Sequence, residues 1–143
     1  MLAARPRTEA QVRERLTRAG FAEEAGEVVA WLLGLGYLDD AAYARERARA
    51  LVALGRLGPR LAELRLAAAG IPRDSARRAV ADALGTGEAA RCRHLAERRA
   101  RRPIPDLDER ERARLGRFLL GRGFSGRAVS SALGVYVDEG EDR

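Results

Sequence analysis

Gly36-Tyr37-Leu38-Asp39-Asp40-Ala41-Ala42-Tyr43-Ala44 is a stretch in which one helix ends and the next begins. The helix before it carries Val28, Val29, Leu32 and Leu33 at helical spacing, and Gly36 falls where a left-handed C-terminal cap costs least, because glycine has no Cβ. Asp39 has the residue type and position of an N-cap. Leu38 before it and Tyr43 after it stand at the N′ and N4 positions of a hydrophobic staple, which sets the angle at which the new helix leaves. Two adjacent carboxylates here read as caps rather than as a catalytic pair, since no partner group accompanies them.

Working outward, the same punctuation recurs. Toward the N-terminus, Thr8-Glu9-Ala10-Gln11 is a capping-box start for a helix with Val12, Leu16 and Ala19 on one side, stopping at Gly20. Phe21 leads into a second helix, about 23–35. Toward the C-terminus, a helix from Asp40 to about Gly55 presents Tyr43, Ala44, Ala48, Leu51 and Val52 near one face. Gly58-Pro59 opens the next, proline being tolerated in a first helical turn, and it runs to Gly70. Ile71-Pro72 starts another, closed by Gly85-Thr86-Gly87; that glycine pair lacks the spacing and lysine of a phosphate loop and reads as a turn. A sixth helix, roughly 88–101, is broken by Pro103-Ile104-Pro105. Asp106 to Glu109 is a capping-box-like start for a seventh, with Leu115, Phe118 and Leu119 apolar, and Ser125 caps a short eighth with Phe124 placed to pack on Val129.

Three of these junctions match: Gly20-Phe21, Gly70-Ile71 and Gly123-Phe124, 50 and then 53 residues apart. Self-similarity at that period marks stacked units, each too small to bury its own apolar face. The expectation is an all-α protein of about eight helices in tandem three-helix repeats: 8–38 a partial repeat lacking most of its leading helix, 39–87 a second repeat, 88–135 a third, and an acidic tail at 136–143. Tetratricopeptide and HEAT repeats have shorter periods and fit less well.

At 143 residues and 46% hydrophobic content the chain has the size and composition of one ordinary domain or a short array. Aromatics are few, at 5%, so the core consists mainly of Leu, Ala and Val. The single Cys92 cannot close an intrachain disulfide, and no run resembles a signal peptide or a membrane span; a cytoplasmic monomer is expected. No enzymatic constellation stands out. Cys92-Arg93-His94 offers at most two soft ligands where structural zinc takes about four, so neither metal nor cofactor is expected. Ser130-Ser131 has no histidine nearby to activate it.

Charge is more informative. The formal net charge is +6, and every basic residue is arginine, which pairs bidentately with phosphate and carboxylate and stacks on bases. Residues 91–102 hold six arginines (Arg91, Arg93, Arg98, Arg99, Arg101, Arg102) against Glu97 alone. In the following helix, Asp106 with Arg110, Asp108 with Arg112 and Glu111 with Arg114 are spaced to cancel one another. Arg91, Arg98, Arg99, Arg101 and Arg102 are therefore the first candidate contacts for phosphate or an acidic partner. Arg45, Arg49, Arg56, Arg60 and Arg65 form a second candidate face.

Gly36, Tyr37, Leu38, Asp39 and Asp40, then Tyr43 and Ala44, Gly58 and Pro59, Leu66, and Gly70 followed by Ile71 together resemble the signature of the RecX family of bacterial RecA regulators. The resemblance runs along nearly the whole chain, is most specific over 36–71 and is weakest in the C-terminal third. It implies an elongated, curved helical array. It also implies a protein that binds the RecA filament on single-stranded DNA and limits filament growth, ATP hydrolysis, strand exchange and repressor cleavage, in recombination, repair and the SOS response. Leu61, Ala62 and Arg65 depart from the family pattern of a basic, an aliphatic and later an acidic residue, which bears on the strength of the contact. Two other readings fit the residues: a helix-turn-helix-like module that binds a specific duplex sequence, and a helical scaffold with no nucleic-acid role.

Overall fold

The computed structural model describes residues 6–134. Among these, eight α-helices and one 3-10 turn account for the regular structure, and no strand occurs. The helices are α1 (Glu9–Arg18), α2 (Ala25–Gly34), α3 (Asp40–Ala53), α4 (Pro59–Ala68), α5 (Arg73–Leu84), α6 (Glu88–Ala100), α7 (Glu109–Gly121) and α8 (Gly126–Leu133), with the 3-10 turn Ile104–Asp106 between α6 and α7. The acidic tail expected at 136–143 lies outside the described residues.

Helix ends follow local chemistry closely. Thr8 and Gln11 form a reciprocal capping box on α1, Asp39 accepts from the Ala42 amide at 3.0 Å, and Ser125 accepts from Ala128 at 3.2 Å. Gly36, Gly70 and Gly123 take φ of +76°, +97° and +95°, a region L-residues enter only with strain. Two boundaries differ from expectation. The cap of α7 is Asp108 with Glu111, since Asp106 is used to finish the 3-10 turn imposed by the two prolines. Helix α2 starts at Ala25, because 22–24 are taken up in a turn.

Helix α3 packs on α4 and α5, which pack on each other; α6 packs on α7 and α8, which likewise pack together. Each trio closes its own core. One contains Ala44, Ala48, Leu51, Leu66, Ile71 and Val80; the other contains Cys92, Leu95, Leu119, Phe124, Val129 and Leu133. Between α1 and α2 the situation differs. They pack on each other, but α1 has no fully buried residue within its span, and of the expected α2 stripe only Val29 is fully buried, with Val28 and Leu32 half-buried and Leu33 exposed. The stripe belongs to the repeat expected to lack most of its leading helix. It is largely uncovered because, among the described residues, no leading helix lies over the pair.

The three groups are joined by one recurring contact. The N-terminus of α1 rests on the α4–α5 turn, where Thr8 Oγ1 donates to the Ala69 carbonyl and the Glu9 amide donates to Asp40 Oδ1 at 3.0 Å. The N-terminus of α4 rests in the same way on the α7–α8 turn, the Gly58 amide donating to the Arg122 carbonyl at 2.8 Å and Arg60 to Gly123 at 3.0 Å. Approach is so close that a Cβ on Gly70 would strike Ala10, and one on Gly123 would stand 2.5 Å from the Leu61 nitrogen. Asp40 thus caps in trans: the two adjacent carboxylates serve two different helices.

Candidate functional site

The joint between the second and third helix groups brings arginines together. Arg122, at the C-cap of α7, donates from Nε to the Arg56 carbonyl at 2.8 Å, and Arg91 on α6 donates to the Val52 carbonyl at 3.1 Å. Both residues are half-buried and fasten α6–α7 to the end of α3. Beside them runs a groove made of two adjoining hollows. One, of about 350 Å³, is lined by Arg56, Leu95, Arg98, Arg99, Phe118 and Arg122. The other, of about 390 Å³, is lined by the end of α3 and by Gly87, Ala90, Arg91, His94 and Arg98. Arg98 belongs to both. No carboxylate lines either hollow, so the guanidiniums repel one another until an anion enters.

The arginines in this groove differ in freedom. Arg99 Cζ lies over the Phe118 ring, 4.7 Å from its centroid, a cation–π contact. Arg98 and the guanidinium of Arg56 are exposed and make no hydrogen bond or ion pair with any described residue.

Other members of the expected set are placed differently. Arg102 is paired with Glu111, and Arg93 with Glu97 at 3.3 Å, so the excess on 91–102 is partly cancelled after all. Glu111 had been expected to pair within α7. It instead reaches back to the Asp108 amide and outward to Arg102, and Arg112 turns to the Ile104 and Pro105 carbonyls, because the 3-10 turn carries those acceptors over the start of α7. Arg101 ends α6 at φ +57°, the one left-handed residue other than glycine among those described. Arg45, Arg49, Arg60 and Arg65 are exposed but line neither hollow; only Arg56 of the second face joins the groove. Arg122 and Phe118 escaped the sequence reading, Arg122 because it reads as an ordinary helix-end residue and Phe118 because its spacing places it with core residues.

The cysteine beneath this surface is fully buried. Burial, with a smaller contribution from Glu88, pushes the Cys92 thiol up to about 12, so it stays protonated. Among the described residues no cluster of histidine, cysteine or carboxylate could hold a metal ion, and no helix is long and apolar enough to cross a membrane.

Comparison with known proteins gives a consistent result. The family model described as the RecX third three-helix domain matches residues 87–133, and that for the first three-helix domain matches residues 1–32. The regulatory protein RecX of Syntrophotalea carbinolica is 36% identical over 149 residues, spanning 97% of this chain and 90% of that one. The crystal structure of RecX from Lactobacillus salivarius shares the fold, with a TM-score of 0.82 at 23% identity over 93% of this chain and 87% of the other. A chain that keeps the opening signature, repeats the glycine-turn joint and aligns with such a relative over 97% of its length belongs to the RecX family.

Proposed function

We propose that this protein regulates RecA by binding the RecA filament on single-stranded DNA and limiting its growth, ATP hydrolysis and strand exchange. The observation that carries this reading is the arginine groove at the joint of the second and third helix groups. Its uncompensated guanidiniums suit exposed phosphate or acidic protein surface, and the Arg99–Phe118 pair offers a flat face to an unstacked base. Arg98 and Arg56 make the primary contacts, with Arg91, Arg99 and Arg122 shaping the groove. Arg101, Arg102, Arg45, Arg49, Arg60 and Arg65 supply the surrounding positive field. The chain acts as a monomer in the cytoplasm and carries no nucleotide site of its own.

The test is ATP hydrolysis by the cognate RecA on single-stranded DNA, with the protein titrated in at two salt concentrations. The expected result is inhibition at substoichiometric protein that weakens with salt. The Arg56→Ala/Arg98→Ala variant should inhibit poorly and lower the salt slope by roughly 1.4, two phosphates at about 0.7 each. Hydrolysis that stays unchanged at every protein concentration would sink the proposal, and tight preference for one duplex sequence would favour a major-groove reader instead.

A further inference from the structure

A third hollow, of about 520 Å³, lies at the joint between the first and second helix groups, lined by Arg7, Gln11, Tyr43, Glu46, Arg47 and Ala50. Its place in the fold is that of the arginine groove. With the α3 cap Asp39 laid on the α6 cap Gly87, buried Ala44 and Ala48 fall on buried Cys92 and Ala96. The same frame lays Tyr43, Glu46, Arg47 and Ala50 on Arg91, His94, Leu95 and Arg98, all four of which line the groove. Pro6 and Arg56 complete the match, each lining its hollow two residues before the N-cap, Thr8 or Gly58, that seats the joint. The joint therefore makes its hollow twice.

Helix α3 connects the two. Tyr43, Glu46, Arg47 and Ala50 line the first hollow, Ala53 and Leu54 line the groove, and this spacing of three and four residues puts all six on one face. From Tyr43 to Leu54 the stripe is about 16 Å long, at about 1.5 Å per residue. It is open to solvent: of the six only Tyr43 is half-buried, and Leu54 is 60% exposed. Arg45 and Arg49 fall on a different face of the same helix. Among the described residues lining the three hollows Glu46 is the only carboxylate. Arg7, Glu46 and Arg47 make no hydrogen bond or ion pair with any described residue.

We propose that single-stranded nucleic acid runs from the arginine groove along α3 to the first joint, where Arg7 and Arg47 hold its phosphates. The track rests on the proposed function of the groove as a phosphate site and extends the contact from one joint to two. A polyanion fits because positive charge stands at both ends of the stripe with only Glu46 against it, while the small side chains of Ala50 and Ala53 leave the middle unobstructed.

The experiment measures binding of a fluorescein-labelled oligothymidylate to the whole chain across a range of salt. Arg7→Ala/Arg47→Ala should lower the salt slope by roughly 1.4, two phosphates at about 0.7 each. Arg45→Ala/Arg49→Ala, the same loss of charge from another face of α3, should lower it by less, and Glu46→Gln should tighten binding. All five positions are exposed, and circular dichroism checks each fold. Equal losses from the two arginine pairs, or weaker binding by Glu46→Gln, overturn the proposal. So does an unchanged slope in Arg7→Ala/Arg47→Ala. If Arg56→Ala/Arg98→Ala still lowers the slope, the groove binds phosphate without the track; if neither pair does, the groove is no phosphate site either. An unchanged slope accompanied by weaker RecA inhibition overturns the track as well and assigns the stripe to a protein surface.

Discussion

Phe21 and Phe124 occupy the same place in the same Gly-Phe turn, yet Phe21 is 52% exposed and Phe124 4%. The local sequence cannot distinguish them; the difference lies in what the rest of the fold brings over the turn. Phe124 sits in a core with Cys92, Leu95 and Ala96 of α6, and the α4 N-terminus presses on its glycine. Around Gly20 there is open space, and no leading helix lies above Phe21 among the described residues. A repeat therefore repeats its local geometry without repeating its burial, and the energetics follow burial.

The contrast sharpens into paired substitutions. Phe124→Ala should cost about 4 kcal/mol in urea denaturation, the range for emptying a packed aromatic site, whereas Phe21→Ala should cost under about 0.5 kcal/mol. Equal costs would mean that Phe21 is covered in solution. The glycines give the next test. Gly123→Ala must part the α4 and α7–α8 contact and should cost about 3 kcal/mol, while Gly20→Ala meets no atom and should lose only about 1 kcal/mol to its left-handed backbone.

Cys92 separates the third helix group from the rest by pH. Its folded pKa is raised above the ordinary thiol value, so its contribution is complete below about pH 9 and is lost as pH rises toward about 12. Stability should fall by as much as about 1.4 kcal/mol per unit across that window, because only the unfolded thiol ionises there, and Cys92→Ala should flatten the decline seen by denaturant titration. Smallest of the set, Asp39→Ala should cost about 1 kcal/mol through loss of the α3 cap. Asp40→Ala should act instead on α1, raising amide exchange at Glu9, since its carboxylate bonds that amide across the joint.

Much of the architecture was legible because helix ends are local events. Thr8, Asp39, Ser125 and the glycines at 36, 70 and 123 announce themselves through side-chain acceptors or positive φ, and each was found where the pattern placed it. Asp106 misled because two prolines nearby allow a 3-10 turn to take the residue that a helix would otherwise use. Long-range pairings were invisible for a different reason. Nothing around Arg122 states that its guanidinium reaches the carbonyl of Arg56, 66 residues away, and nothing around Glu111 states that Arg102 will outcompete its α7 neighbours. The arginine-rich segment was visible as composition. The groove within it emerged only once the glycine joint had brought α3, α6 and α7 to one place.

The two separate cores also shape how the molecule comes apart. Each forms from residues within about fifty positions of one another and shares little apolar surface with its neighbour, so folding waits on short loop closures rather than on distant pairings. Heat should then melt the array in stages, α1–α2 first, with a van't Hoff enthalpy smaller than the calorimetric one. Hydrogen exchange should trace the same order as a staircase of opening energies along the chain, lowest in α1–α2 and highest in the two packed trios.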